Sequence, residues 1–280
     1  MEIGLALSGG GIKGAAHIGA IKALEDLNFK IKYISGSSSG SIVAILYAMG
    51  YKTEEILNIF KKYEEEINYI EIKNILKLIL GIIFKGEITI NGFNSGEKIE
   101  KLINKFAQKK QINNIKNIKK PFLIPAVNIN NGEIINFTNI KIKNLNNEKF
   151  YYDANPGKVV RASCSFPAVF EPCNFDNMQL SDGAIREKVP WKGLKLIGST
   201  NTFAITFKEE KEGKKCKNII DVLLKSVEIL GQELNLYEME GVDKEIEIIT
   251  KNIGLLEKNK TSFLYNLGYS TTYKKIEKIN

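Results

Sequence analysis

Histidine is almost absent from this chain: there is one, His17, in 280 residues. A serine nucleophile served by histidine in the chain order Ser, acid, His is therefore excluded for any serine beyond position 17. Cysteine is nearly as scarce, with Cys164, Cys173 and Cys216 only. Three is an odd number, and none sits in a C-x-x-C pair. That argues against a disulfide framework or a zinc site and suits a reducing compartment. Long apolar runs are missing too. The longest, Ile75 to Phe84, is interrupted by Lys77 and falls far short of the ~20 residues a membrane-spanning helix needs. No basic n-region or A-x-A-like cleavage site precedes Ile3, so no signal peptide is expected and a cytoplasmic setting is. No Lys/Arg cluster is interleaved with aromatics, which argues against a nucleic-acid surface.

What the chain does have is ordinary globular material, 44% hydrophobic and 26% charged. The net charge of +8 comes from 40 Lys+Arg against 32 Asp+Glu. The lysines are spread along a Lys-, Asn- and Ile-rich sequence, so the excess reads first as compositional bias. A basic surface would still favour peripheral contact with anionic membranes.

Strand and helix patterns alternate. Ile3–Ser8 reads as a strand ending in three glycines, and Lys13–Leu27 as an amphipathic helix. Tyr33–Ser35 ends a second strand. Gly40–Met49 is a helix apolar nearly all round, hence buried. Thr53 is expected to cap the next helix, and Asn94 or Ser95 another that carries Ile99, Leu102, Ile103 and Phe106 on one face. Asn131-Gly132 between Phe122–Asn128 and Glu133–Thr138 signals a hairpin. Tyr152–Ser163, Val222–Tyr237 and Ser262–Lys275 read as helices. Met178–Ser181, Phe203–Phe207 and Glu245–Thr250 read as strands, and Lys208–Lys217 as a surface loop. There is no internal repeat. The expectation is an α/β fold of three layers, α/β/α, around a mixed, mainly parallel sheet. One domain is expected over 1–280, with its motifs within about 3–207 and a strand and helices in 218–280. The segment Ile67, Ile70, Ile72 and Ile75–Phe84 reads as core helix; the alternative is an apolar lip for acyl chains.

Three motifs carry chemistry. Gly9-Gly10-Gly11-Ile12-Lys13-Gly14 fits G-x-G-x-x-G between a strand and a helix. A dinucleotide site would place an acidic residue at the end of the second strand. Tyr33-Ile34-Ser35-Gly36 stands there instead, so the better reading is an oxyanion hole of backbone N–H groups at a helix N-terminus. Gly36-Ser37-Ser38-Ser39-Gly40 has the G-x-S-x-G form of a nucleophile elbow with Ser38 at its centre. His17, on the first helix, is expected to be a packed or solvent-facing residue. Asp182, at a strand end before Gly183-Ala184, can accept a serine proton directly; a plain Asp-Gly turn is the competing reading.

Together and in this order, the three motifs resemble the patatin-like phospholipase family, whose signatures are G-G-G-x-[KR]-G, G-x-S-x-G and D-G-[GA]. Arg161-Ala162-Ser163-Cys164-Ser165-Phe166-Pro167 resembles the family's R-A-S-x-x-x-P. Gly86, the Asn131-Gly132 hairpin and Gly268-Tyr269 also fit, so the resemblance spans essentially the whole chain. The departures are Ser37 and Ser39, Ala184, and the charged Arg186-Glu187-Lys188 before Val189-Pro190. The resemblance implies a lipid acyl hydrolase with Ser38 as nucleophile and Asp182 as base, supported by Gly14, Gly36, Gly40, Gly183 and Ala184. Gly10 and Gly11, with Gly9, are the implied oxyanion donors. Lys13 is either an electrostatic supplement there or a surface lysine. The implied partner is a phospholipid or other acyl lipid, with no metal or organic cofactor. Acyl transfer, thioester cleavage and non-catalytic lipid binding stay open as alternatives.

Overall fold

A computed structural model describes residues 1–67, 69–145, 147–208, 215–251 and 253–278. Most of the anticipated loop at 208–217 lies outside the described residues. The elements run β1 (Glu2–Leu7), α1 (Gly14–Asp26), β2 (Lys30–Gly36), α2 (Ser39–Ala48), α3 (Thr53–Glu66), α4 (Ile72–Lys85) and α5 (Glu97–Lys109). Then come β3 (Phe122–Asn128), β4 (Ile134–Thr138), β5 (Glu148–Tyr151), α6 (Pro156–Ser163), β6 (Cys173–Phe175) and β7 (Met178–Asp182). The chain continues with α7 (Trp191–Leu196), β8 (Thr202–Lys208), α8 (Ile219–Glu238), β9 (Lys244–Ile249) and α9 (Thr261–Glu277).

The main sheet has the order β5-β4-β3-β2-β1-β8-β9, with β7 paired to β3 and β6 to β7. Pairings of β1 with β2 and β8, of β2 with β3, of β4 with β5 and of β8 with β9 are parallel. The β3–β4 hairpin and the β3–β7 and β6–β7 pairs are antiparallel. This is a three-layer α/β fold with a mixed, mostly parallel sheet.

Side-chain alternation along β1 builds two cores. Ile3, Leu5 and Leu7 face the large cluster that includes α1, α2, α3, α5, α6 and α9. Ala6 faces a smaller one, with Leu123, Ala204 and, from α7, Trp191 and Leu194. Helix α2 is buried on nearly every side, as its apolar composition requires. Helices α1 and α9 cross at Gly268, where any Cβ would run into the Ala16 carbonyl. Gly268→Val should therefore cost about 2 kcal/mol or more by overpacking. Urea denaturation monitored by circular dichroism reads this as an earlier midpoint.

Several boundaries differ from the sequence reading. Thr53 does not cap α3; it lies buried in the first turn, and Glu55 Oε2 accepts the Lys52 N–H at 2.9 Å. Gly96 takes the N-cap of α5, while Asn94 Oδ1 accepts the Gly96 N–H at 2.6 Å. Helix α6 begins at Pro156 rather than Tyr152, because a residue before proline is pushed out of the helical region. Asn155 caps it, accepting from the Gly157 N–H at 3.0 Å.

The largest correction is α4, read as core. It is an exposed helix of which only Asn74 and Gly81 are buried. Its periodicity defines an apolar face without saying whether that face turns inward. Among the described residues, no helix is long and apolar enough to cross a membrane.

Candidate active site

Strands β1 and β2 are parallel neighbours, with Leu7 opposite Gly36 at their C-terminal ends. Their C-terminal ends therefore open on the same edge of the sheet, where ligands of open α/β folds are held. At that edge β2 breaks sharply into α2. Ser38 occupies the break at φ 52° and ψ −124°, a region that costs a non-glycine residue on the order of 1–3 kcal/mol.

Local hydrogen bonds hold the strain. Ser37 N–H donates to Leu7 O at 3.1 Å, Ser41 Oγ–H to Ser38 O at 2.6 Å, and Ser38 N–H to Ser163 Oγ at 3.1 Å. Gly40 is required by proximity: a Cβ there would lie 2.5 Å from Leu7 O. The small residues of the pentapeptide are thus what lets α2 start directly against β1.

Asp182 ends β7, which is held in the sheet by the Ala126 pairing with β3. Its carboxylate is fully buried. One oxygen, Oδ2, accepts the Ser38 hydroxyl at 2.6 Å, and the other, Oδ1, accepts the Ala184 N–H at 2.9 Å. Burial pushes its pKa up to about 7, against the opposing pull of those two hydrogen bonds. The structure thus brings the two residues, 144 positions apart, into direct contact.

The glycine loop lies beside them; a Cβ on Gly9 would sit 3.3 Å from Ser38 Cβ. Gly9 corrects the expected donor set, because its N–H is already committed to Lys188 O at 3.0 Å. The N–H groups of Gly10 and Gly11 take no protein acceptor among the described residues. A short 3-10 turn, Gly11–Lys13, leads into α1 at Gly14. Lys13 is not a surface lysine. It is buried, with Nζ 3.4 Å from Glu228 Oε1 of α8.

His17 supports the loop without touching Ser38. It is buried, its Nε2–H donates to Ser8 O at 2.8 Å, and its ring lies 4.5 Å from that of Phe207. Burial lowers its pKa to about 4, so the imidazole is neutral at pH 7.

Sequence reasoning missed Arg161 as an organiser, although the R-A-S segment had drawn attention to it. Its guanidinium is buried and donates to Ser95 O at 2.9 and 2.5 Å, to Glu171 O at 2.6 Å, and to Ser165 Oγ. Ser165 O in turn receives Asp182 N–H at 3.1 Å and Ser181 Oγ–H at 2.9 Å. One arginine therefore ties the α5 entry loop to the segment that registers Asp182.

Ser38, Asp182 and the glycines open into a cavity of about 100 Å³. Tyr63, Tyr69, Phe166, Phe170, Leu255 and Leu256 give it apolar walls, and α8 contributes Val227 and Gly231. These wall residues carry no signal that separates them from ordinary core side chains. Among the described residues, no group of three or more His, Cys, Asp or Glu side chains is placed to hold a metal ion.

The site thus joins a strained serine, a buried aspartate and a glycine loop at one edge of a mostly parallel α/β sheet. Residues 5–195 match the patatin-like phospholipase family, and the chain belongs to that family. Among its relatives is the uncharacterized protein YqhO of Bacillus subtilis, 31% identical over 180 residues, covering 61% of this chain and 58% of that protein. The lysophospholipase NTE1 of Lodderomyces elongisporus is 24% identical over 203 residues, covering 72% of this chain and 12% of that protein. The chain thus spans less than two thirds of the length of either relative. The crystal structure of VipD from Legionella pneumophila shares the fold, with a TM-score of 0.56 at 14% identity, over 99% of this chain and 67% of that one.

Proposed function

We propose that the chain is a serine acyl hydrolase acting on phospholipids or related acyl lipids through a Ser38–Asp182 dyad. The observation that carries this reading is the 2.6 Å hydrogen bond from a strained, cavity-facing serine to a buried carboxylate. Family membership supports the lipid substrate class, and the apolar cavity walls suit an acyl chain.

In this reading Ser38 Oγ attacks the ester carbonyl carbon as its proton passes to Asp182 Oδ2. The oxyanion of the tetrahedral intermediate is received by the N–H groups of Gly10 and Gly11, each such donor being worth roughly 10²–10³ in rate. Collapse expels the alcohol, which takes the proton from Asp182. Water then attacks the acyl-serine as one of its protons passes to Asp182, and collapse of the second tetrahedral intermediate releases the fatty acid as Asp182 returns that proton to Ser38 Oγ. Lys13, buried at the loop, adds positive potential on the oxyanion side.

The test is fatty-acid release from phospholipid and lysophospholipid dispersions. Ser38→Ala should lower it by about 10⁴-fold or more. Fatty-acid release by Ser38→Ala at the wild-type rate would refute the reading. The pH profile should follow Asp182. A protonated carboxyl cannot accept the serine proton, so the rate should fall about tenfold per pH unit below a break near 7.

A further inference from the structure

We propose that α4 is a docking helix that seats the mouth of the Ser38 cavity on an anionic lipid bilayer. The inference deepens the acyl-lipid reading given above and rests on it for the purpose of the docking, though not for the docking itself.

The helix is built inside out. Its inward stripe is polar or small: Asn74 donates to Gly92 O and to Glu171 Oε1, both at 3.2 Å, and Gly81 abuts the Thr89 side chain. Most of its large apolar residues point to solvent, with Ile75 and Leu78 half-buried. Ile72 is 79% exposed, Leu76 55%, Ile83 67% and Phe84 77%. Leaving so much contiguous apolar surface wet is unfavourable for an isolated protein, and such patches mark interaction surfaces.

Charge decides which partner fits. Every charged residue in α4 is a lysine, namely Lys73, Lys77 and Lys85. Of the two flanking acids, Glu71 is turned onto Lys73 at 3.0 Å and Ser95 at 3.2 Å, and Glu87 follows the Gly86 stop. Apolar residues with lysines on one helix are the composition that lies in a bilayer interface and is drawn to anionic headgroups. The chain's excess of basic residues acts in the same direction.

Position ties the helix to the site. Tyr69, two residues before Glu71, lines the cavity, and Glu71 N–H donates to Phe93 O at 2.8 Å. Phe93 and Asn94 in turn bond to Ala168 O and Val169 O, next to the cavity residue Phe170. Helix α8, another wall of the cavity, also exposes Ile229 and Leu230. A bilayer held on α4 would therefore present its acyl esters beside the cavity entrance.

The experiment is flotation of the Ser38→Ala protein with vesicles of phosphatidylcholine alone and with one quarter phosphatidylglycerol. Leu76→Glu/Ile83→Glu, in the same background, should lower the partition coefficient by at least about 30-fold on the anionic vesicles. Lys73→Gln/Lys77→Gln/Lys85→Gln should lower it by about fivefold per lysine, of order a hundredfold in all, on anionic vesicles alone. A separate Phe84→Trp protein should blue-shift its emission when anionic vesicles are added. Absence of vesicle binding by the parent, equal binding by parent and variants, or an unshifted Phe84→Trp emission overturns the proposal. So does a concentration-dependent dimer that Leu76→Glu/Ile83→Glu dissolves while vesicle binding persists. With Ser38 intact, Leu76→Glu/Ile83→Glu should hydrolyse a short soluble ester at the wild-type rate. Vesicle binding by a wild-type protein inert on every ester would sink the hydrolase reading and leave the docking helix standing.

Discussion

Asp182→Asn is expected to abolish fatty-acid release while making the folded protein more stable at neutral and alkaline pH. The catalytic half follows from the proposed proton transfer. Asparagine keeps the shape and can still accept the Ala184 N–H, but it offers no basic oxygen to Ser38, so turnover should drop about 10⁴-fold or more. The stability half follows from burial. The folded protein holds this carboxyl near 7, whereas the unfolded chain releases its proton near 3.8. Between those values the unfolded state loses a proton that the native state keeps, so native stability declines as pH rises through the window and levels off above it. At about 1.4 kcal/mol per pH unit, Asp182→Asn should gain up to about 4 kcal/mol at pH 8 and nearly nothing at pH 4. Urea titrations of both proteins at the two pH values measure the difference. An asparagine variant less stable than wild type at pH 8 would contradict the assignment of a desolvated carboxylate.

The second large effect is expected at Arg161. Its guanidinium satisfies two partly buried carbonyls and a serine hydroxyl from three separate stretches of chain. Arg161→Met fills much of the same space but strands those acceptors, at a cost of about 3–5 kcal/mol. Arg161→Lys keeps the charge but cannot span Ser95 and Glu171 with one planar fork, so it should recover only part of the loss. Because Ser165 hangs from the same arginine and carries Asp182 N–H, the surviving folded fraction of Arg161→Lys should also show a lower kcat. Denaturation midpoints together with active-site-titrated turnover separate the two effects. A variant with wild-type stability would show that the clamp contributes nothing.

The parts legible in the sequence are those in which local chemistry dictates backbone shape. Three glycines after an apolar strand, a serine between glycines and an Asp-Gly at a strand end each specify a turn. The hairpin at Asn131-Gly132 and the buried helix α2 were visible for the same reason. What stayed hidden depends on partners far away in sequence. Gly9 reads like Gly10 and Gly11 until Lys188 O is found on its N–H. Lys13 reads equally as a loop supplement or a surface residue until Glu228 of α8 is found beside its buried ammonium. The four residues of β5, Glu148–Tyr151, are too short and too polar to announce a strand, which exists because β4 offers it an edge. The outward turn of α4 is decided by Asn74 and Gly81, which form its inner face although large apolar residues surround them in sequence.

The most direct measurement is labelling with a fluorophosphonate, which forms a covalent bond only with an activated serine, followed by mass mapping of the modified peptide. A stoichiometric adduct is expected on Ser38 in the wild-type protein and none in Ser38→Ala. Labelling of Asp182→Asn should be slower by the same large factor as its turnover. An adduct on another serine, or Asp182→Asn labelled at the wild-type rate, would contradict the Ser38–Asp182 dyad.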